Sequence, residues 1–262
     1  MTVPVVPAEF ETVAQARDYF ELYRTWYDKT HWRKAESEHH DVNRAVLMHS
    51  YRQFMSRYTS ALNALEQRIG SSLHSANGKA LALLKMRQIF LTAWQDIPLA
   101  LLHLGKDELQ DAWDVRTVAL QDIVDLSEKV LFAASTQSQQ SNAAQSYSLT
   151  LDMGVVAPLS DVARLCRDPQ IRRKAIKLLR LRPCREGLAD SLLNARVCER
   201  VMQLEESASP GPVLCAADVP PYARIRTLIT RFDEDGHGVT HTYIRNNRST
   251  VLREHTILDK DL

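Results

Sequence analysis

The chain has 262 residues, enough for one large domain or two modest ones, and its 45% hydrophobic and 25% charged residues suit a globular protein with a buried core. A net charge of +1 excludes nucleic-acid binding through overall charge, so any such contact must be local. The opening MTVPVVPAEF has no basic flank before an apolar stretch, and no apolar run nears the roughly 20 residues of a membrane span. A soluble protein of nucleus or cytoplasm, with no membrane partner, is therefore expected.

Eight glycines in the whole chain favour helix over glycine-rich turns. Thr12 and Gln15 have capping-box spacing, and Ala16, Phe20, Tyr23 and Tyr27 then recur on one helix face. Tyr19, Trp26 and Trp32 thicken that face, which reads as a core stripe rather than a binding cage. Asp41 is placed to cap a second helix, where Leu47, Tyr51, Phe54, Tyr58, Leu62, Leu65 and Ile69 repeat without a miss and Gly70 marks the end. A third helix is predicted from about Lys79 to Gln95, apolar at Leu83, Leu84, Phe90, Leu91 and Trp94, with Pro98 stopping or kinking it. A fourth is predicted over roughly Asp107 to Ala133, with Trp113, Leu120, Ile123, Val124 and Val130 inward.

The polar run from Ser135 to Ser148 reads as a linker or surface loop. Three short helices follow. One spans about Pro158 to Arg167, and the next opens with Asp168 as cap and Pro169 at its first position, burying Ile171, Ala175 and Leu178. The last follows Gly187, burying Leu188, Leu192, Ala195, Cys198 and Met202 and ending at Glu205 and Glu206. Beyond SASPGP, two β-rich runs, Arg224 to Phe232 and Val239 to Arg245, flank DEDGHG as a hairpin. The expected class is all-α: packed antiparallel helices with a small C-terminal β-hairpin. The expected organisation is an N-terminal helical half (1–134), a linker (135–148), a second helical half (149–206), and a linker with the hairpin (207–262).

Few patterns suggest chemistry. Between Arg164 and Arg185 lie nine Arg and Lys residues against the single acid Asp168. Arg172, Arg173, Lys174, Lys177 and Arg180 form a candidate partner or nuclear-localisation patch, against the ordinary explanation of a solvated, neutralised face. DELQD places Asp107, Glu108 and Asp111 at the spacing of a metal–diphosphate motif of helical terpene cyclases, but its partner motif is missing and acids also favour a helix start. His237 and His241 near Asp233 and Asp235 read as turn and strand residues before a metal site. Cys166, Cys184, Cys198 and Cys215 have no paired zinc-ligand spacing, so neither catalytic residues, metal nor cofactor is expected.

In order along the chain stand the lead-in LDMGVVAPL, then CRDPQIRRKAIKLL, RPCREG and ARVCERVMQLEE. In these pieces Leu151 to Glu206 resembles the C-terminal regulatory region of fungal binuclear zinc-cluster transcription factors, and FETVAQARDYFELY resembles the start of that region. Within the resemblance Asp168 and Pro169 start a helix. Arg172 and Arg173 pair with acids of the next helix or with partner surfaces, and Glu186 and Gly187 turn the chain. Ala189-Asp190 stands where that family usually has Trp-Asp, and the six-cysteine cluster that reads DNA cannot be drawn from the four cysteines.

The resemblance implies a regulatory or interaction domain that works through protein partners. It admits a homodimer and a small-molecule effector held between helices, with no sequence-specific DNA binding by this polypeptide alone. The alternative is an enzyme reusing the helical scaffold in a fungal natural-product pathway, for example a cyclase. It rests on the DELQD acids and the aromatics of the first two helices.

Overall fold

Helix α1 (Val13–Lys34) starts as its sequence dictates: Thr12 Oγ1 accepts the N–H of Gln15 at 3.0 Å, while Gln15 Oε1 accepts that of Glu11. The computed structural model describes residues 3–34, 40–95, 112–138, 148–150, 154–245 and 251–257. They divide into two compact units, one of residues 1–99 with 125–145 and one of residues 100–124 with 146–262.

The first unit is built on α1, α2 (His40–Ile69) and α3 (Ala76–Gln95). The stripe of α2 is buried at Tyr51, Phe54, Tyr58, Leu62 and Leu65, whereas Ile69 is partly exposed beside Gly70, whose φ of 77° closes the helix. Phe20, Tyr23 and Trp26 of α1 face this stripe: Tyr23 stacks on Phe54 at 4.1 Å between centroids, and Tyr58 Oη donates to the Ala16 carbonyl. The side chain of Asp41, expected to cap α2, and the residues just before His40 lie outside the described residues. Ser75 caps α3, its Oγ accepting from Gly78 N, and the buried face centres on Leu81, Leu84, Met86 and Ala93. Leu83, Phe90, Leu91 and Trp94 are only half-buried, so the face is rotated from the expected one. Pro98, and the side chains of Trp32 and Leu47, lie outside the described residues.

Helix α4 (Thr117–Ser138) follows a turn at 112–115 that buries Trp113, and it buries Leu120, Ile123 and Val124. The helix thus runs four residues into the stretch that reads as a polar linker.

In the second unit α5 (Val156–Leu165), α6 (Pro169–Leu181) and α7 (Ser191–Glu206) pack on one another. Asp168 caps α6 through Gln170 N and Ile171 N, and Pro169 takes the first position. Asp190 caps α7 by accepting from Leu193 N at 2.7 Å. Leu188 is therefore not in α7: Gly187, at φ 59°, turns the chain first, leaving Leu188 92% exposed at the tip.

The class is mostly helical but not strictly all-α. Strands β1 (Ser148–Thr150), β2 (Cys184–Glu186) and β3 (Ala189–Asp190) make one small sheet, β1 parallel and β3 antiparallel to β2. At the C-terminus β4 (Ile225–Phe232), β5 (Gly238–Arg245) and β6 (Val251–Ile257) form a three-stranded antiparallel sheet instead of a two-stranded hairpin. Ile225 and Tyr243 join Val201 and Leu204 of α7 in a core cluster, and Arg200 of α7 pairs with Glu254 of β6. A lone hairpin is marginal in water, whereas a third strand and a helix against one face make it stable.

Candidate functional site

The sequence pieces that stand in order along the chain contact one another in space. The side chain of Glu186 on β2 reaches the start of α5. There its Oε2 accepts the N–H of Gly154 at 2.8 Å and of Val156 at 2.9 Å, and its Oε1 that of Val155 at 3.0 Å. No residue of α5 caps its own N-terminus, so a glutamate about 30 positions later takes three of the free donors.

CRDPQIRRKAIKLL and ARVCERVMQLEE are joined by a buried charge cluster. Glu205, fully buried on α7, meets Arg172 Nη2 at 2.6 Å and Arg167 Nη2 at 3.4 Å, and accepts the N–H of Ile225 at 2.8 Å. Arg172 Nε also donates to the carbonyl of Ala163 on α5. Asp114 extends the cluster, 2.7 Å from Arg224 Nη1 and 3.6 Å from Arg167 Nη1. Burial alone would push the Glu205 carboxyl up; Arg172, Arg167 and the Ile225 N–H more than reverse that and hold it below the usual glutamate range. The cluster thereby ties α5, α6, α7, the start of β4 and the 112–115 turn together. Deep burial leaves it no access to a substrate. It is scaffold.

A curated relative bears on this chain: the aspercryptin biosynthesis cluster-specific transcription regulator (atnN) of Emericella nidulans is 39% identical over 101 residues, 37% of the chain. Part of this chain is similar to a fungal cluster-specific transcription regulator. The aligned stretch covers 16% of that regulator's length. No protein-family model matches the chain, and no solved structure does.

Of the patch residues expected on α6, Arg172 is not at the surface: its side chain is wholly buried against Glu205. The spacing signalled this, since Arg172 stands at i, i+4 and i+7 with the buried Ile176 and Leu179. Glu205 similarly follows Cys198 and Val201 on the inward stripe of α7. Arg173 and Arg180 do face solvent, each paired with α7, Arg173 with Glu206 at 2.6 Å and Arg180 with Glu199 at 2.5 Å. Lys177 is exposed and Lys174 half-exposed. Sequence reasoning missed Asp114, Arg167 and Arg224, whose roles depend on contacts far apart in the chain.

The other candidates separate. Asp107, Glu108 and Asp111 lie outside the described residues. The aromatics of α1 and α2 at Phe20, Tyr23, Trp26, Tyr51, Phe54 and Tyr58 are buried against each other, so these rings line no open cage. Asp235 Oδ1 accepts the backbone N–H of His237, and Asp233 pairs with His255. His241 is buried beside Thr230, and burial lowers its pKa. Cys166 and Cys198 are buried, Cys184 half-buried and Cys215 exposed, all as free thiols. Among the described residues no group of three or more His, Cys, Asp or Glu could hold a metal ion.

Proposed function

We propose that this chain is a regulatory and protein-interaction region of a fungal biosynthetic-cluster transcription regulator, acting in the nucleus through other proteins. The observation that carries the reading is its 39% identity over 101 residues to the aspercryptin cluster regulator. Supporting it, the charges most typical of the resemblance are committed to holding α5, α6 and α7, as the Arg172–Glu205 pair illustrates. A scaffold of that kind leaves function to its outer faces.

The contact patch in this reading is Arg173, Lys174, Lys177 and Arg180 of α6. Arg173 pairs with Glu206 and Arg180 with Glu199, so the face carries both signs of charge and suits a partner that does the same rather than a uniformly anionic duplex. Sequence-specific reading of DNA falls outside this chain's role.

A reporter assay tests the proposal. The chain, fused to an unrelated DNA-binding domain in a fungal host, should change reporter output several-fold, and K174E/K177E should remove that change while the protein stays folded. A folded, nuclear fusion that leaves the reporter unchanged would sink the reading.

A further inference from the structure

A small pocket in the second unit lies between the end of α5, the middle of α7 and the start of β4. It is lined by Arg164, Leu165, Val201, Ile225, Arg226 and Leu228 and holds about 60 Å³. We infer that this pocket binds a small aliphatic carboxylate, gripped by Arg164 and Arg226 over an aliphatic floor. The inference goes beyond the regulator reading and does not depend on it.

Charge is the first reason. Two arginines line the pocket, and none of its lining residues is acidic. Arg164 Nη2 donates to Asp161 Oδ1 of the same helix at 3.3 Å, an ion pair on the partly exposed side. The Nε of Arg164 is buried with no hydrogen-bond partner among the described residues. A buried donor left unmade costs roughly 1–3 kcal/mol, which leaves Arg164 with an unmet need for an acceptor. Burial pushes the Asp161 carboxyl up, against the pull of Arg164.

Shape and lining give the chemical class. A guanidinium fork matches the two coplanar oxygens of a carboxylate. Leu165, Val201, Ile225 and Leu228 supply the apolar remainder, and Val201 and Ile225 belong to the buried cluster under the sheet. One water needs about 10–15 Å³ of such space, so the pocket takes roughly four to six heavy atoms. That is the size of acetate to isobutyrate. A hydrated phosphate dianion would place its third and fourth oxygens against hydrocarbon, which is costly.

The experiment titrates the full chain with isobutyrate and acetate, follows amide and methyl NMR signals, and uses isobutyramide and inorganic phosphate as controls. Isobutyrate should give saturable shifts at Leu165, Val201, Ile225 and Leu228, and bind at least tenfold more tightly than isobutyramide. R164Q and R226Q should each weaken it at least tenfold; if either variant unfolds, the wild-type carboxylate-to-amide ratio still decides. Absence of saturable shifts, equal binding of the amide, or phosphate binding as tightly as isobutyrate would each overturn the inference.

Discussion

The carboxylate of Glu186 fills the space that a side chain at position 154 would need. A Cβ built on Gly154 would lie 2.2 Å from Glu186 Oε1 and 2.8 Å from its Cδ. The carboxylate cannot simply swing aside, because it holds the N–H groups of Gly154, Val155 and Val156. The glycine of the lead-in and the glutamate of R-E-G are therefore one device, written in two places about thirty residues apart.

Gly154→Ala should destabilise the second unit by about 1–3 kcal/mol, the scale of leaving buried donors unsatisfied. Glu186→Ala should cost a similar amount. Because both remove the same contact, the double variant should lose clearly less than the sum in denaturant titration. Additive losses would show that the two residues act independently.

Arg172→Met leaves Glu205 buried with a weaker partner, Arg167 at 3.4 Å. Breaking a buried pair from one side costs about 3–5 kcal/mol, so thermal or urea unfolding should move far toward the unfolded state. A loss under about 1 kcal/mol would mean that the cluster contributes little.

Glu205 also sets an acid dependence. Its carboxyl is held below its ordinary value in the folded chain, so the unfolded chain takes up the proton first as pH falls. Its stabilisation is complete above the ordinary glutamate range and is lost as pH drops through the lowered folded value. Acid titration of wild type should show that loss, and Glu205→Gln, less stable at neutral pH, should show a shallower acid limb. An unchanged slope would contradict the assignment.

Arg180 and Glu199 form the exposed counterpart, with side chains 42% and 35% accessible. Solvent and salt screen such a pair, so Arg180→Ala should cost no more than about 1 kcal/mol. Comparison with Arg172→Met, by the same unfolding assay, separates the outer face of α6 from its inner one.

The thiols should differ in reactivity. Burial pushes Cys166 up to about 11 and Cys198 up to about 12, which leaves little thiolate near pH 8. Cys215 is exposed and should be alkylated first in the folded chain, with Cys166 and Cys198 reacting only on unfolding. Mass spectrometry of peptides after brief alkylation reads the order directly; early labelling of Cys198 would refute it.

By itself the sequence determined what depends on neighbours a few residues apart. The stripe from Tyr51 to Leu65, the stop at Gly70 and the Asp168–Pro169 start are local: periodicity, a left-handed glycine and a side-chain cap need no distant partner. The order of motifs from Gly154 to Glu206 was legible too, but not what the pieces do for one another. Tertiary structure decided that Arg172 points inward, because a basic residue beside an apolar stripe can be buried only if a carboxylate such as Glu205 is brought to it. It also decided that Leu188 stands outside α7, that Val251–Ile257 becomes a strand against β5, and that Arg164 and Arg226 meet at one pocket. Each of these rests on contacts between segments far apart in the chain, and local spacing carries no record of such a contact.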